Sequence, residues 1–289
     1  MPLTADDDSP MLPDRPSTAS DESSSHSGSA PAPPAPDPAS RQGSPPLLTS
    51  TLYLVATPIG NLEDITLRAL RVLRECDLVA AEDTRRTGQL LRHFGISKPL
   101  LSYFQFNEAR RSEQILHRLG SGQKIALVSD AGSPGISDPG QRVVAAAIAA
   151  GFRVEAVPGP CALVPALTAS GLPTDEFHFV GFLPHKSGQR RNRLESLRPV
   201  PGTLLFYESP YRILKLLQEL QDIYPDSQVV LARELTKKFE EYLRGTPANL
   251  LQAMQKRSIK GEFVVMVHRD GTAQIPINPT DLSAQEGDE

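Results

Sequence analysis

Tryptophan is absent from the 289-residue chain, and only two cysteines occur, Cys76 and Cys161. Two thiols do not build a disulfide framework, and neither stands at metal-ligand spacing from any of the six histidines. No run of about 18 apolar residues exists, which excludes a transmembrane helix and with it a membrane partner. The first fifty residues contain no aromatic side chain and no apolar stretch before Leu47, and Asp6 to Asp8 are all acidic. A secretory signal is thereby excluded, and acid so early speaks against an organelle transit peptide. The expectation is a reduced, soluble, cytoplasmic protein.

Proline and serine are plentiful, but unevenly placed. Residues 1–50 hold 11 of the 27 prolines and 11 serines, with 2 basic against 7 acidic groups. Such a segment has too few large apolar groups to offset the entropy of ordering, so a disordered tail is expected over 1–50. A second, acidic tail is expected over 271–289, since residues 270–289 carry 5 acidic and no basic groups. Residues 51–269 then hold 28 basic and 22 acidic side chains, about +6, although the whole chain reads −4. A polyanionic partner stays open for the middle segment.

From Thr51 onward, short apolar runs of strand length alternate with amphipathic stretches. The spacing predicts a first helix over Leu62–Arg74, with Leu62, Ile65, Leu70 and Leu73 on one side. Strands alternating with helices read as an α/β fold, with a mostly parallel sheet in an N-terminal domain over 51–172. A C-terminal α/β domain is expected over 173–270. Its strands fall at Phe177–Leu183, Thr203–Tyr207, Val229–Ala232 and Phe263–His268, and Ser209 and Pro210 open a helix that runs to Ile223. The short join at Gly171–Thr174 implies close packing and a cleft between the two.

The segment Ser129–Gly140 carries the most information. It leaves a strand and enters a helix, with Asp138 expected as N-cap and Pro139 in the first turn. Such a loop lies at the carboxyl edge of a parallel sheet, where open α/β folds bind ligands. It lacks both the triphosphate and the dinucleotide glycine signatures, and no basic residue stands between Lys124 and Arg142. An uncharged, backbone-lined loop beginning at Asp130 suits a ligand with amine and adenosine donors better than one with phosphates. Thr57–Asn61 and Pro158–Ala162 follow two other strands and complete one rim.

Six segments in order carry a resemblance: Ala56–Leu62, Ala81–Arg85, Ser129–Gly140, Pro158–Pro160, Glu208–Arg212 and Arg233–Lys237. Together they resemble the ribosomal RNA small subunit methyltransferase I family, a branch of the tetrapyrrole-methylase superfamily. The resemblance implies a two-domain fold with a mixed C-terminal sheet, and S-adenosylmethionine bound in the cleft of a homodimer. It also implies 2′-O-methylation of a cytidine ribose in the decoding region of 16S rRNA, within the 30S subunit. Carried onto this chain, the cofactor contacts Pro58, Asp130, Ala131, Gly132, Ile136, Cys161, Ala162, Phe182, Leu235, Gly261 and Glu262. Cys161 stands where relatives often have serine, and Gly135 where a larger apolar residue is common.

Methyl transfer to a ribose oxygen needs alignment and loss of the hydroxyl proton. Glu82, Asp83, Glu208, Glu234 and Lys237 are candidates facing the cleft. Glu234 and Lys237 lead, with a desolvated Lys237 of lowered pKa as base or alkoxide stabiliser. A plain surface ion-pair cluster is the competing reading of the same residues. Arg85, Arg86, Lys186, Arg190, Arg191 and Arg193 are the expected RNA contacts. Tyr103, Phe104 and Phe106 stack a splayed base or, for at least two of them, pack in the core. A tetrapyrrole precursor as methyl acceptor is disfavoured, because no Gly-x-Gly-Pro-Gly-Asp loop follows the first strand. A non-catalytic RNA-binding assembly factor would leave three glycine/proline loops without a task.

Overall fold

The structure is a computed structural model that describes residues 45–269. The tails expected over 1–50 and 271–289 therefore fall outside the described residues, except for residues 45–50. Among the described residues, 46–269 belong to one compact unit. Leu47 already packs against buried side chains, and the Leu48 N–H donates to the Tyr53 hydroxyl at 2.8 Å. Ordered chain thus begins before the boundary expected at residue 50.

Five strands form the first sheet: β1 (Thr51–Val55), β2 (Leu78–Ala81), β3 (Leu100–Ser102), β4 (Ile125–Val128) and β5 (Arg153–Val157). Their order is β3-β2-β4-β1-β5, and every pairing is parallel. Five helices join them: α1 (Leu67–Glu75), α2 (Thr84–His93), α3 (Glu108–Gly120), α4 (Gln141–Ala149) and α5 (Leu163–Thr168). Successive strand residues point to opposite faces, so both faces need cover. Tyr53, Val55 and Val79 pack with Leu73 of α1 on one side; Leu52, Ala80 and Leu127 pack with Ile115 and Val143 on the other. Each such leucine or valine contributes about 1.5–3 kcal/mol by leaving water.

The second sheet is mixed, as expected. It comprises β6 (Phe177–Phe182), β7 (Thr203–Glu208), β8 (Gln228–Arg233), β9 (Glu241–Gly245) and β10 (Phe263–His268). The order is β6-β7-β10-β8-β9, with β6 parallel to β7 and the other pairs antiparallel. Helices α6 (Ser187–Ser196), α7 (Ile213–Ile223) and α8 (Pro247–Gln255) connect the strands. Leu204, Phe206 and Val265 meet Leu216, Leu220 and Leu250 of the helices on one face. On the other face, Leu205, Val230 and Met266 receive Ala166 and Leu167 of α5. That contact fixes the first sheet's last helix against the second sheet.

Three expectations about elements are corrected. Leu62–Asp64 is a single 3-10 turn, and α1 begins at Leu67 because the Thr66 hydroxyl accepts from the Ala69 N–H at 3.0 Å. Leu62 therefore lies outside the helical stripe. Helix α7 starts at Ile213, with Arg212 rather than Ser209 at the cap position. Strand β9 escaped prediction because this edge strand buries Leu243 among charged neighbours, a common means of protecting a sheet edge.

Candidate functional site

The three glycine/proline loops leave β1, β4 and β5 side by side and are tied together by short bonds. Thr57 N–H donates to the Gly132 carbonyl at 2.9 Å, and Gly132 N–H returns a bond to the Thr57 carbonyl at 2.8 Å. The Ser133 hydroxyl donates to the Pro160 carbonyl at 3.0 Å, linking the second loop to the third. These mutual bonds tie the three loops into one rim.

The rim opens on a cavity of about 410 Å³ bounded on its far side by β6, β7, β8 and β10. Ala131, Gly132, Ile136, Cys161, Ala162, Phe182, Leu235 and Glu262 of the expected cofactor set lie on its wall. Pro58 and Asp130 do not: they line a neighbouring pocket of about 320 Å³ with Arg86 and His93. The Asp130 carboxylate instead accepts from the Asp83 N–H at 2.9 Å and stands 3.5 Å from Arg86. Gly261 also lies off the wall. Its φ of 90° and missing Cβ make room for Glu234, whose Cγ would lie 2.5 Å from an added methyl.

An uncharged crevice was expected, and the structure corrects this. The charged residues that line the cavity are Asp138, Glu208 and Glu262, and the cations that pair with two of them, Arg212 and Lys237, stand behind the wall. Glu208 is buried; its Oε1 accepts from the Ser209 N–H at 2.8 Å and lies 3.1 Å from Arg212 Nε. Its Oε2 is buried with no hydrogen-bond partner. Burial pushes this carboxyl's pKa up, against the opposing pull of the Ser209 N–H and Arg212. Burial likewise raises the Tyr207 phenol, with the Cys161 thiol adding to the effect. Apolar faces from Ile59, Ile136 and Phe182 complete the walls. A hollow whose lining charges are all acidic, with one orphaned carboxylate oxygen at its edge, fits a cationic ligand that carries an amine or sulfonium beside a flat ring.

Asp138 does not cap α4. Gly140, at φ 148°, holds the cap position with no side-chain bond, and the Asp138 carboxyl is paired with Ser129, the residue after β4. Burial, then Glu82, then Asp130 push its pKa up to about 6, against a hydrogen bond from Ser129. Glu82 is raised as well, by burial first and Asp130 second. Among the described residues, no group of three or more His, Cys, Asp or Glu is disposed to hold a metal ion.

Glu234 and Lys237 form an ion-pair cluster. Lys237 Nζ lies 2.8 Å from Glu234 Oε1 and 3.0 Å from Glu262 Oε2, and neither Glu234 nor Lys237 lines the main cavity. Burial alone would lower Lys237, but its bonds to Glu234 and Glu262 outweigh burial and the pKa rises. This overturns the expectation of a lysine with lowered pKa. The backbone here is strained, with Glu234 at φ 50° and Thr236 at φ 66°.

The expected RNA contacts divide. Arg190 is buried and makes paired bonds of 2.6 and 2.8 Å to Glu219, plus one to the His185 carbonyl at 3.1 Å. It pins α6 to α7 and has no free face for a phosphate, which corrects its assignment. Arg191 pairs with Asp222 at 2.7 Å, and Arg85 with Asp83 at 2.9 Å. Arg85, Arg86, Lys186 and Arg193 are exposed. Tyr103 is buried and bonded to Glu108 at 3.1 Å, but Phe106 is 89% exposed and Phe104 38%, so only one of the three aromatics belongs to the core.

The family model of the tetrapyrrole (corrin/porphyrin) methylases matches residues 51–251. The chain is 50% identical over 221 residues to ribosomal RNA small subunit methyltransferase I of Halalkalibacterium halodurans, covering 76% of each chain. It is 53% identical over 220 residues to the Xylella fastidiosa protein of that name, covering 75% of this chain and 81% of that one. A solved Thermus thermophilus uroporphyrin-III C-methyltransferase, complexed with S-adenosyl homocysteine, shares the fold. Its TM-score is 0.54 at 20% identity, covering 75% of this chain and 97% of that one. The chain belongs to the ribosomal RNA small subunit methyltransferase I family, a branch of the tetrapyrrole methylases. It is a methyltransferase.

Proposed function

We propose that this protein transfers a methyl group from S-adenosylmethionine to the ribose 2′-hydroxyl of a cytidine in the decoding region of 16S rRNA, working in the cytoplasm as a homodimer on the 30S subunit. The observation that carries the cofactor reading is the main cavity, whose charged wall residues are acidic and whose rim is backbone. When bound there, the cofactor supplies an electrophilic methyl on a cationic sulfur. Glu208, buried in the wall, supplies negative charge toward the ligand's ammonium, the Ala131–Gly132 turn meets its polar atoms with backbone groups, and Phe182 and Ile136 cover its ring. Ala162 and Cys161 leave room at the rim because their side chains are small. Exposed Arg85, Arg86, Lys186 and Arg193 supply positive charge for RNA phosphates, without reading sequence.

The test supplies labelled S-adenosylmethionine with 30S subunits, naked 16S rRNA or uroporphyrinogen. Label on a cytidine ribose of the small-subunit rRNA is the expected result. Label in uroporphyrinogen overturns the acceptor, and tight binding to subunits without label leaves an assembly factor. Sedimentation of the purified protein checks the dimer.

A further inference from the structure

A second hollow adjoins the main cavity across a single ridge of chain. It measures about 340 Å³ and is lined by Glu82, Gln105, Glu108, Asp138 and Arg142, among others. Ser137 and Asp138 line both hollows, so one carboxyl stands where the two meet. The second hollow is polar, whereas the first is largely apolar. Glu108 is already committed, because its Oε1 accepts from the Tyr103 hydroxyl at 3.1 Å and the Gly140 N–H at 3.1 Å. Glu82 has only a long contact from the Asp130 N–H at 3.5 Å. The segment Phe104–Phe106 brings two exposed rings to either side of Gln105 along the chain, 6.3 Å apart and edge to face.

We propose that this polar pocket receives the acceptor cytidine, turned out of its strand, and that Asp138 takes the proton from its ribose 2′-hydroxyl. The proposal rests on the reading given under Proposed function. A cytosine presents one exocyclic amine donor and two acceptors, N3 and O2. Glu82 accepts from the amine, the pairing that carboxylates make with this base. Gln105 and Arg142 donate to the acceptors. Phe104 and Phe106 offer faces on which an adjoining base stacks. The ribose then lies against the ridge, with its 2′-oxygen turned toward the main cavity.

The chemical step balances. A lone pair on the 2′-oxygen forms the new bond to the methyl carbon as the carbon–sulfur bond breaks and its electron pair returns to sulfur. The hydroxyl proton passes to Asp138, which becomes a neutral acid and later releases that proton to water. The charged groups facing Asp138 are Glu82 beyond β2, Asp130 on its own loop, Glu108 on α3 and Arg142 on α4, with the Tyr207 phenol from β7. The acids among them make the site a better proton acceptor than an ordinary aspartate. A pKa near 6 leaves it ionised at neutral pH.

Asp138→Asn keeps the shape and removes the base. Single-turnover transfer to 30S subunits should fall by about 10²–10⁴-fold. Asp138 also lines the cofactor cavity, so calorimetric affinity for S-adenosylmethionine should fall, but by less than tenfold. Wild-type rates should rise through pH 6 to a plateau, and that limb should vanish in the variant. Gln105→Ala should raise KM for subunits with little change in kcat. A variant rate within threefold of wild type, a persisting limb, or a wild-type profile flat between pH 5 and 7 would overturn the proposal. So would a tenfold loss of cofactor affinity, which would place Asp138 on the cofactor instead. A wild-type protein that labels no rRNA removes the underlying reading itself and the proposal with it, a result distinct from failure at Asp138 alone.

Discussion

Two clusters of ionisable groups stand at strand ends, one on each sheet, and behave in opposite ways. At Glu234, Lys237 and Glu262, unlike charges meet within 3.0 Å and hold each other ionised, Lys237 raised and Glu234 lowered. At Glu82, Asp130 and Asp138, like charges meet under partial burial and push Glu82 and Asp138 upward. The first arrangement is settled and resists proton exchange near neutral pH. The second is poised, because removing a charge relieves it. Catalytic carboxyls are found where environments push pKa values toward the working range, so the second cluster is the better place for proton transfer. Spacing in sequence singled out the first cluster, since Glu and Lys three apart look like a machine. Sequence spacing shows that charges are close; only burial and the third neighbour show which way a proton moves.

The largest effect tests opposite charges in the most buried setting. Arg190→Ala strands Glu219, whose side chain is only 6% exposed, and should cost about 3–5 kcal/mol in urea unfolding. Replacing both partners by apolar residues of similar volume should restore most of that loss. If Arg190→Ala unfolds normally yet loses affinity for RNA, the buried pair is not structural and the original assignment returns. A smaller effect tests the orphaned acid. Glu208→Gln should weaken S-adenosylmethionine binding about tenfold by calorimetry, equal to about 1.4 kcal/mol, while leaving the melting temperature unchanged or raised. Unchanged affinity would show that the buried Glu208 charge does not act on the ligand.

The two sheets and the three-loop rim were legible because apolar runs of strand length and glycine/proline turns are local signals. Asp138 was not, because Asp-Pro before a helix reads as a cap, and only the backbone at Gly140, at φ 148°, shows that the cap position lies two residues further on. Arg190 was misread for a similar reason. Its helix looks like a solvated basic face, and the acid that buries it, Glu219, lies 29 residues away on α7. The upward shift of Lys237 comes first from its bond to Glu234, three residues back, and then from Glu262, 25 residues on, beside β10. For Arg190 the deciding neighbour is distant along the chain, where periodicity carries no information.

The finest comparison uses pH to set the two clusters against each other. Glu234 has a lowered pKa when folded, so its contribution is present above the unfolded carboxylate value and is lost as pH falls through the folded one. Lys237→Met should therefore destabilise by at most about 1 kcal/mol at pH 7, and the difference from wild type should shrink under acid. Asp138 has the reverse sign. With a pKa raised to about 6, its protonated form favours folding at low pH, and that advantage disappears as pH rises through 6. Asp138→Asn should thus melt higher than wild type at pH 8 and converge with it toward pH 4. Parallel melting curves for both variants across that range would erase the distinction between a settled cluster and a poised one. Opposite trends would establish it independently of any assay of methyl transfer.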